Sequence, residues 1–101
     1  MKNVTGEELK KIITENEVVL VDYYAEWCGP CKQLIPRLES LESEYANAVF
    51  AKVDVDANME YAKELGVRSV PTVMVLKNGE VIHRSSGANT PEYYKEILNN
   101  A

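Results

Sequence analysis

The run Val18–Tyr24, VVLVDYY, restricts the fold more than any other part of the chain. A strand with one wet face alternates polar and apolar residues, but this one offers a single charged side chain, Asp22. Its β-branched and aromatic residues favour an extended backbone, and both of its faces need cover. It therefore belongs in the middle of a sheet with helices on either side. The flanking segments supply them. In TGEELKKIITEN, Thr5 precedes Glu8 at capping-box spacing, and Leu9, Ile12 and Ile13 recur at helical period. This predicts a helix over about residues 6–15. From Pro30 onward, Cys31, Leu34, Ile35, Leu38, Leu41 and Tyr45 share one face at period 3.6. They predict a helix over about 29–46, kinked rather than ended by Pro36 because the stripe continues in phase.

Further along, AVFAKVDVD reads as a second strand. Asp56 is placed to cap a short helix through ANMEYAKEL, with Gly66 at the C′ position. In SVPTVMVLKNGEVIHRSSG, two strand-like runs flank Asn78-Gly79, a type I′ hairpin signal. Thr90-Pro91-Glu92 opens a last helix whose apolar face is Tyr93, Tyr94, Ile97 and Leu98. A leading strand is at most KNVT. Strand–helix–strand order implies right-handed parallel crossovers, and the hairpin adds an antiparallel edge. The prediction is an α/β fold, a mixed sheet between helices, in one domain over residues 1–101 with no repeat or linker. A chain of this length can bury a working core without metals or disulfides.

A net charge of −5 leaves no basic surplus to displace counterions, which argues against nucleic acid as a partner. The opening MKNVTGEELKK turns polar at once, where a secretory signal would run on through about 7–15 apolar residues. VVLV is too short to span a bilayer. A cytoplasmic, reducing location with no membrane partner is the expectation.

Cys28 and Cys31, in WCGPCK, are the only cysteines. A structural zinc site needs four ligands, and the chain adds only His83, expected to face solvent on a hairpin strand. No metal site closes from Cys and His within one chain; an intermolecular or iron–sulfur site is the remaining route. As a staple, a loop of about four residues contributes about 2 kcal/mol, against about 3 for a 15-residue loop. Redox chemistry fits the placement better. Cys28 follows a central strand and precedes a helix, where unpaired N–H groups and the helix dipole favour a thiolate. Cys31 lies one turn on, pointing into the apolar stripe. The expected asymmetry is an exposed, activated Cys28 and a shielded, resolving Cys31. Gly29 allows tight approach at the turn and Pro30 suits the first helical position; neither adds a charge, so the pair should be less oxidising than one with an intervening histidine.

The residues VDYYAEWCGPCK at 21–32, Pro36, AKVDVD at 51–56, VRSVPT at 67–72, KNGE at 77–80 and Gly87 together resemble the thioredoxin family over nearly the whole chain. The resemblance implies the thioredoxin fold, with about five strands and four flanking helices. It implies a general protein-disulfide reductase serving cell redox homeostasis and donating electrons to reductive enzymes. In such a protein Cys28 attacks a substrate disulfide, Cys31 resolves the mixed disulfide, and a redox-active Cys28–Cys31 disulfide results. No cofactor is bound; a partner flavoprotein, a thioredoxin reductase fed by NADPH or ferredoxin, restores the dithiol. Asp22 would be a buried acid of raised pKa that takes the proton of Cys31, with Lys52 tuning it from beneath. Val70–Pro71 would be a cis bond facing the cysteines, the Val70 backbone hydrogen-bonding an extended substrate segment. Gly87 would leave room for that segment, and Trp27 would form a half-exposed binding rim. The protein would act as a monomer. One departure stands out: many members carry a second Trp where this chain has Tyr24. Two other readings remain open from sequence: a binding module that uses the fold and ignores redox state, and an oxidase or isomerase of an oxidising compartment.

Overall fold

The computed structural model describes all 101 residues. Five strands are present: β1 (Lys2–Asn3), β2 (Val18–Tyr24), β3 (Ala48–Asp54), β4 (Thr72–Lys77) and β5 (Glu80–Ser86). They form one sheet in the order β1-β3-β2-β4-β5. β1 and β2 run parallel to β3; β4 is antiparallel to both β2 and β5. Every residue of β2 is buried, as a run that is apolar but for Asp22 requires. The helices are α1 (Gly6–Glu15), α2 (Gly29–Glu42), α3 (Met59–Glu64) and α4 (Pro91–Asn99).

Alternation along the strands divides the core in two. Val18, Leu20, Phe50, Val73 and Val75 meet Leu34, Leu38 and Leu41 of α2 and Tyr94 and Leu98 of α4. Val19, Val21, Tyr23, Val53 and Met74 meet Leu9 of α1, with Tyr61 and Leu65 at the margin. Asp22 shares the α2–α4 face with Val18 and Leu20 by period, and its register partners are Lys52 and Val73.

Local hydrogen bonds fix most boundaries. Thr5 Oγ1 accepts from Glu8 N at 3.1 Å while Glu8 Oε1 accepts from Thr5 N at 3.0 Å, closing the capping box of α1. Thr90 Oγ1 caps α4 by accepting from Tyr93 N. Asn78 (φ 51°) and Gly79 (φ 82°) are both left-handed, as a type I′ hairpin demands. Two boundaries differ from expectation. The helix expected to reach about residue 46 ends at Glu42. Its apolar stripe persists, but the chain tightens through Glu44 N→Leu41 O and Tyr45 N→Glu42 O, and the Tyr45 hydroxyl donates to Asn99 Oδ1 at 2.8 Å instead. Asp56 does not cap α3: the N-cap is Asn58, and Asp54 Oδ1 accepts from the amides of Asp56 and Ala57.

The β4–β5 ladder slips once. Lys77 faces Glu80 and Leu76 faces Val81, but Val75 faces His83, leaving Ile82 as an extra residue. Such a bulge moves every later side chain to the opposite face. His83 thereby joins the α4 side, where its Nε2 lies 3.0 Å from the Tyr93 hydroxyl. It is half-buried there rather than solvent-facing, and burial lowers its pKa.

Gly6, at the start of α1, donates its amide to Asn58 Oδ1 at 3.1 Å, binding α1 to the chain before α3. A Cβ on Gly6 would sit 2.6 Å from Tyr61 Cγ, against the root of the ring rather than its mobile end. Gly6→Ala is expected to destabilise the fold by about 1–3 kcal/mol through overpacking, read as a lowered urea midpoint at unchanged m.

Candidate active site

The chain leaves β2 at Tyr24, turns through residues 25–27 and enters α2 with Cys28 as N-cap. Cys28 has the extended backbone of a capping residue, and its Sγ accepts from Cys31 N at 3.2 Å. The sulfur thus occupies the place of a capping oxygen, and the same amide and helix dipole stabilise a thiolate there. Pro30 stands in the first turn, where its missing N–H has no intrahelical acceptor to serve. Gly29 has no such account: its φ is not left-handed, and a Cβ there would meet nothing within 4 Å.

Cys28 and Cys31 are joined as a disulfide with Cα atoms 5.3 Å apart. Cys31 is fully inaccessible, while Cys28 keeps 4% of its surface. The asymmetry follows the expected direction, but Cys28 is not exposed as expected. Tyr24 and Ala25 are buried with the two cysteines, and Ile35, Val55 and Val70 pack around them. Only a small part of Cys28 meets solvent.

Asp22 is wholly buried, and neither carboxyl oxygen has a hydrogen-bond partner within the protein. Burial raises its pKa from 3.8 to about 7, against a smaller opposing pull from Lys52. The two face each other across β2 and β3 but form no ion pair. The Lys52 ammonium lies instead 5.4 Å from the centroid of the Tyr24 ring, a cation–π contact on the residue that departs from the family pattern.

Val70–Pro71 is cis, and Val70 O lies 3.6 Å from Cys28 Sγ. A disulfide sulfur has no proton to donate, so this approach becomes a hydrogen bond only in the dithiol. Pro71 O accepts from Gly87 N at 2.9 Å. Gly87 is left-handed (φ 84°), and a Cβ on it would project into open space. The structure therefore brings Cys28, Cys31, Val70, Pro71 and Gly87 to one end of the sheet, with Asp22 on the face beneath α2. Trp27 is 71% exposed, more than the half expected, and its Nε1 donates to Asp56 Oδ2 at 2.8 Å. Trp27 lines a shallow groove with Val55, Val67, Arg68, Ser69 and Val70. Sequence reasoning missed Asp56 as the partner of Trp27; nothing local marks a contact between residues so far apart in sequence. No three His, Cys, Asp or Glu side chains gather as a metal site would require. No helix is long and apolar enough to cross a membrane.

Comparison with known proteins agrees with this geometry. The family model described as Thioredoxin matches residues 1–100. Thioredoxin-1 of Schizosaccharomyces pombe is 42% identical over 93 residues, covering 92% of this chain and 90% of that protein. Thioredoxin of Bacillus subtilis is 46% identical over 87 residues, covering 85% of this chain and 84% of its own length. The solved structure of Plasmodium falciparum thioredoxin aligns with a TM-score of 0.91 at 40% identity, each chain fully covered. A family match over almost the full length, together with a cysteine pair closed as a disulfide at a helix start, leaves one conclusion: the chain belongs to the thioredoxin family of thiol–disulfide oxidoreductases.

Proposed function

We propose that the chain runs in the reducing direction, as a general protein-disulfide reductase. The exchange chemistry is carried by the inequality of the two cysteines: Cys28 alone keeps any accessible surface, and its sulfur lies beside the Val70 carbonyl while accepting the Cys31 amide. The uncharged Gly29-Pro30 between them supports the reducing direction, since no added charge stabilises the reduced pair. In the dithiol, the Cys28 thiolate attacks one sulfur of a substrate disulfide. A mixed disulfide forms, and the other substrate sulfur leaves as a thiolate. Cys31 then gives its proton to Asp22 and attacks Cys28. The second substrate thiolate departs, and the Cys28–Cys31 disulfide holds the oxidising equivalent. Two electrons from a partner flavoprotein reductase restore the dithiol; the chain itself carries no cofactor.

The substrate would lie as an extended segment on the Val70 backbone, with Gly87 leaving it room and Trp27 forming the rim. Backbone pairing of that kind suits many proteins rather than one. Lys52 would adjust Asp22 at a distance, and Gly29 and Pro30 would keep the region between the cysteines uncharged. A monomer in a reducing cytoplasm completes the reading. The reduced protein is expected to accelerate insulin disulfide reduction by dithiothreitol severalfold at micromolar concentration. The absence of acceleration would refute the reading. A redox potential well on the oxidising side of glutathione would assign the chain to oxidation or isomerisation instead.

A further inference from the structure

β5 holds the chain around residues 65–71 at successive points. Arg84 Nη1 donates to Leu65 O at 2.9 Å and Nη2 to Gly66 O at 2.7 Å. Ser86 Oγ lies 3.3 Å from Ser69 Oγ, and Gly87 N donates to Pro71 O at 2.9 Å. Leu65 is the C-cap of α3 and Gly66 the next residue, so Arg84 takes the two carbonyls where the chain leaves the helix. A guanidinium can serve both at once because its donors are fixed in a planar fork. Arg84 can do so only because of the bulge at Ile82. Straight pairing from Lys77 and Glu80 would place residue 84 opposite Val73, on the α2–α4 face; the extra residue sets it opposite Met74, on the α3 face.

We propose that Arg84 is a positioning residue for protein substrates. By holding the end of α3 it fixes where the loop 67–71 begins, and so where the Val70 backbone lies relative to Cys28. The proposal rests on the reading in which an extended substrate segment docks on Val70. Arg84 lies outside the groove and touches neither sulfur, so its effect reaches the reaction only through the loop. A small disulfide that the Cys28 thiolate can attack without strand docking should not sense it.

The test compares the full chain with Arg84→Met and Arg84→Lys. It reads kcat and KM for insulin, the rate with 5,5′-dithiobis(2-nitrobenzoate), and the titration of the Cys28 thiolate by ultraviolet absorbance. Arg84→Met should raise KM for insulin on the order of tenfold, with kcat and the small-disulfide rate changed less than about twofold. The Cys28 titration should not move. Arg84→Lys should recover part of the loss, since an ammonium supplies the charge without the fork. Equal losses with insulin and the small disulfide would overturn the proposal in favour of a general structural role, and so would an unchanged KM for insulin. A wild-type chain that fails to reduce insulin at all would overturn the docking reading as well, whatever the variants do.

Discussion

Asp22→Asn is expected to stabilise the oxidised protein, and the gain should grow by roughly 4 kcal/mol between about pH 3 and pH 9. Asp22 is raised in the folded state from 3.8 to about 7 because burial disfavours its charge. The folded protein therefore holds a proton that the unfolded chain has already released. Below about pH 4 the carboxyl is protonated in both states and opposes nothing. As pH rises from about 4 to about 7 the unfolded chain ionises first, and wild-type stability falls. Above about 7 the loss is complete. The amide does not titrate, so the variant lacks this slope. Guanidinium unfolding of both proteins across the range measures the difference, and a pH-independent gap would refute it. On the proposed mechanism, in which Asp22 takes the proton of Cys31, the same change should slow resolution of the mixed disulfide on the order of a hundredfold near neutral pH. Greater stability and slower turnover in one variant is the signature of a carboxyl kept for chemistry at the expense of the fold.

Cys31→Ser should abolish catalytic turnover of insulin while leaving the first attack intact, so that a one-to-one mixed disulfide accumulates. Cys28→Ser should abolish both turnover and adduct. The asymmetry follows from the accessible surface of Cys28 and the complete enclosure of Cys31. A serine hydroxyl at 31 fits the buried space but is too poor a nucleophile to release the adduct, a loss of at least about a thousandfold in rate. Non-reducing electrophoresis and intact mass would detect the adduct. An adduct formed by the Cys28→Ser variant would reverse the assignment of the two sulfurs.

What could be read in the sequence was what depends on few residues close together. The capping box of Thr5 and Glu8, the Asn78-Gly79 turn and the Thr90-Pro91 helix start each close within a few residues. The central place of β2 was legible because seven buried positions carry almost no polar side chain. Asp22 stood out for the same reason, and its two bare oxygens bear out its burial. Most of the misses depend on partners far along the chain. The periodic stripe of α2 runs in phase to Tyr45, but that residue is drawn to Asn99 on α4. Asp56 looked like a cap and serves Trp27 instead. Val55 and Val70 pack on the cluster that buries Cys28, and no local pattern ties them to it. The bulge was invisible because Val81 and Ile82 are both apolar, so either register satisfies the alternation.

That bulge gives length changes in the hairpin an unequal meaning in heredity. A codon gained or lost at the Asn78-Gly79 tip alters a loop, and loops absorb such changes. Loss of the Ile82 codon spares the tip but would swap the faces of His83 and Arg84, parting one from Tyr93 and the other from the end of α3. Among relatives of this chain, a one-residue gap just before the position of Arg84 should therefore be read as a change in what the edge strand holds, and weighed apart from ordinary loop variation.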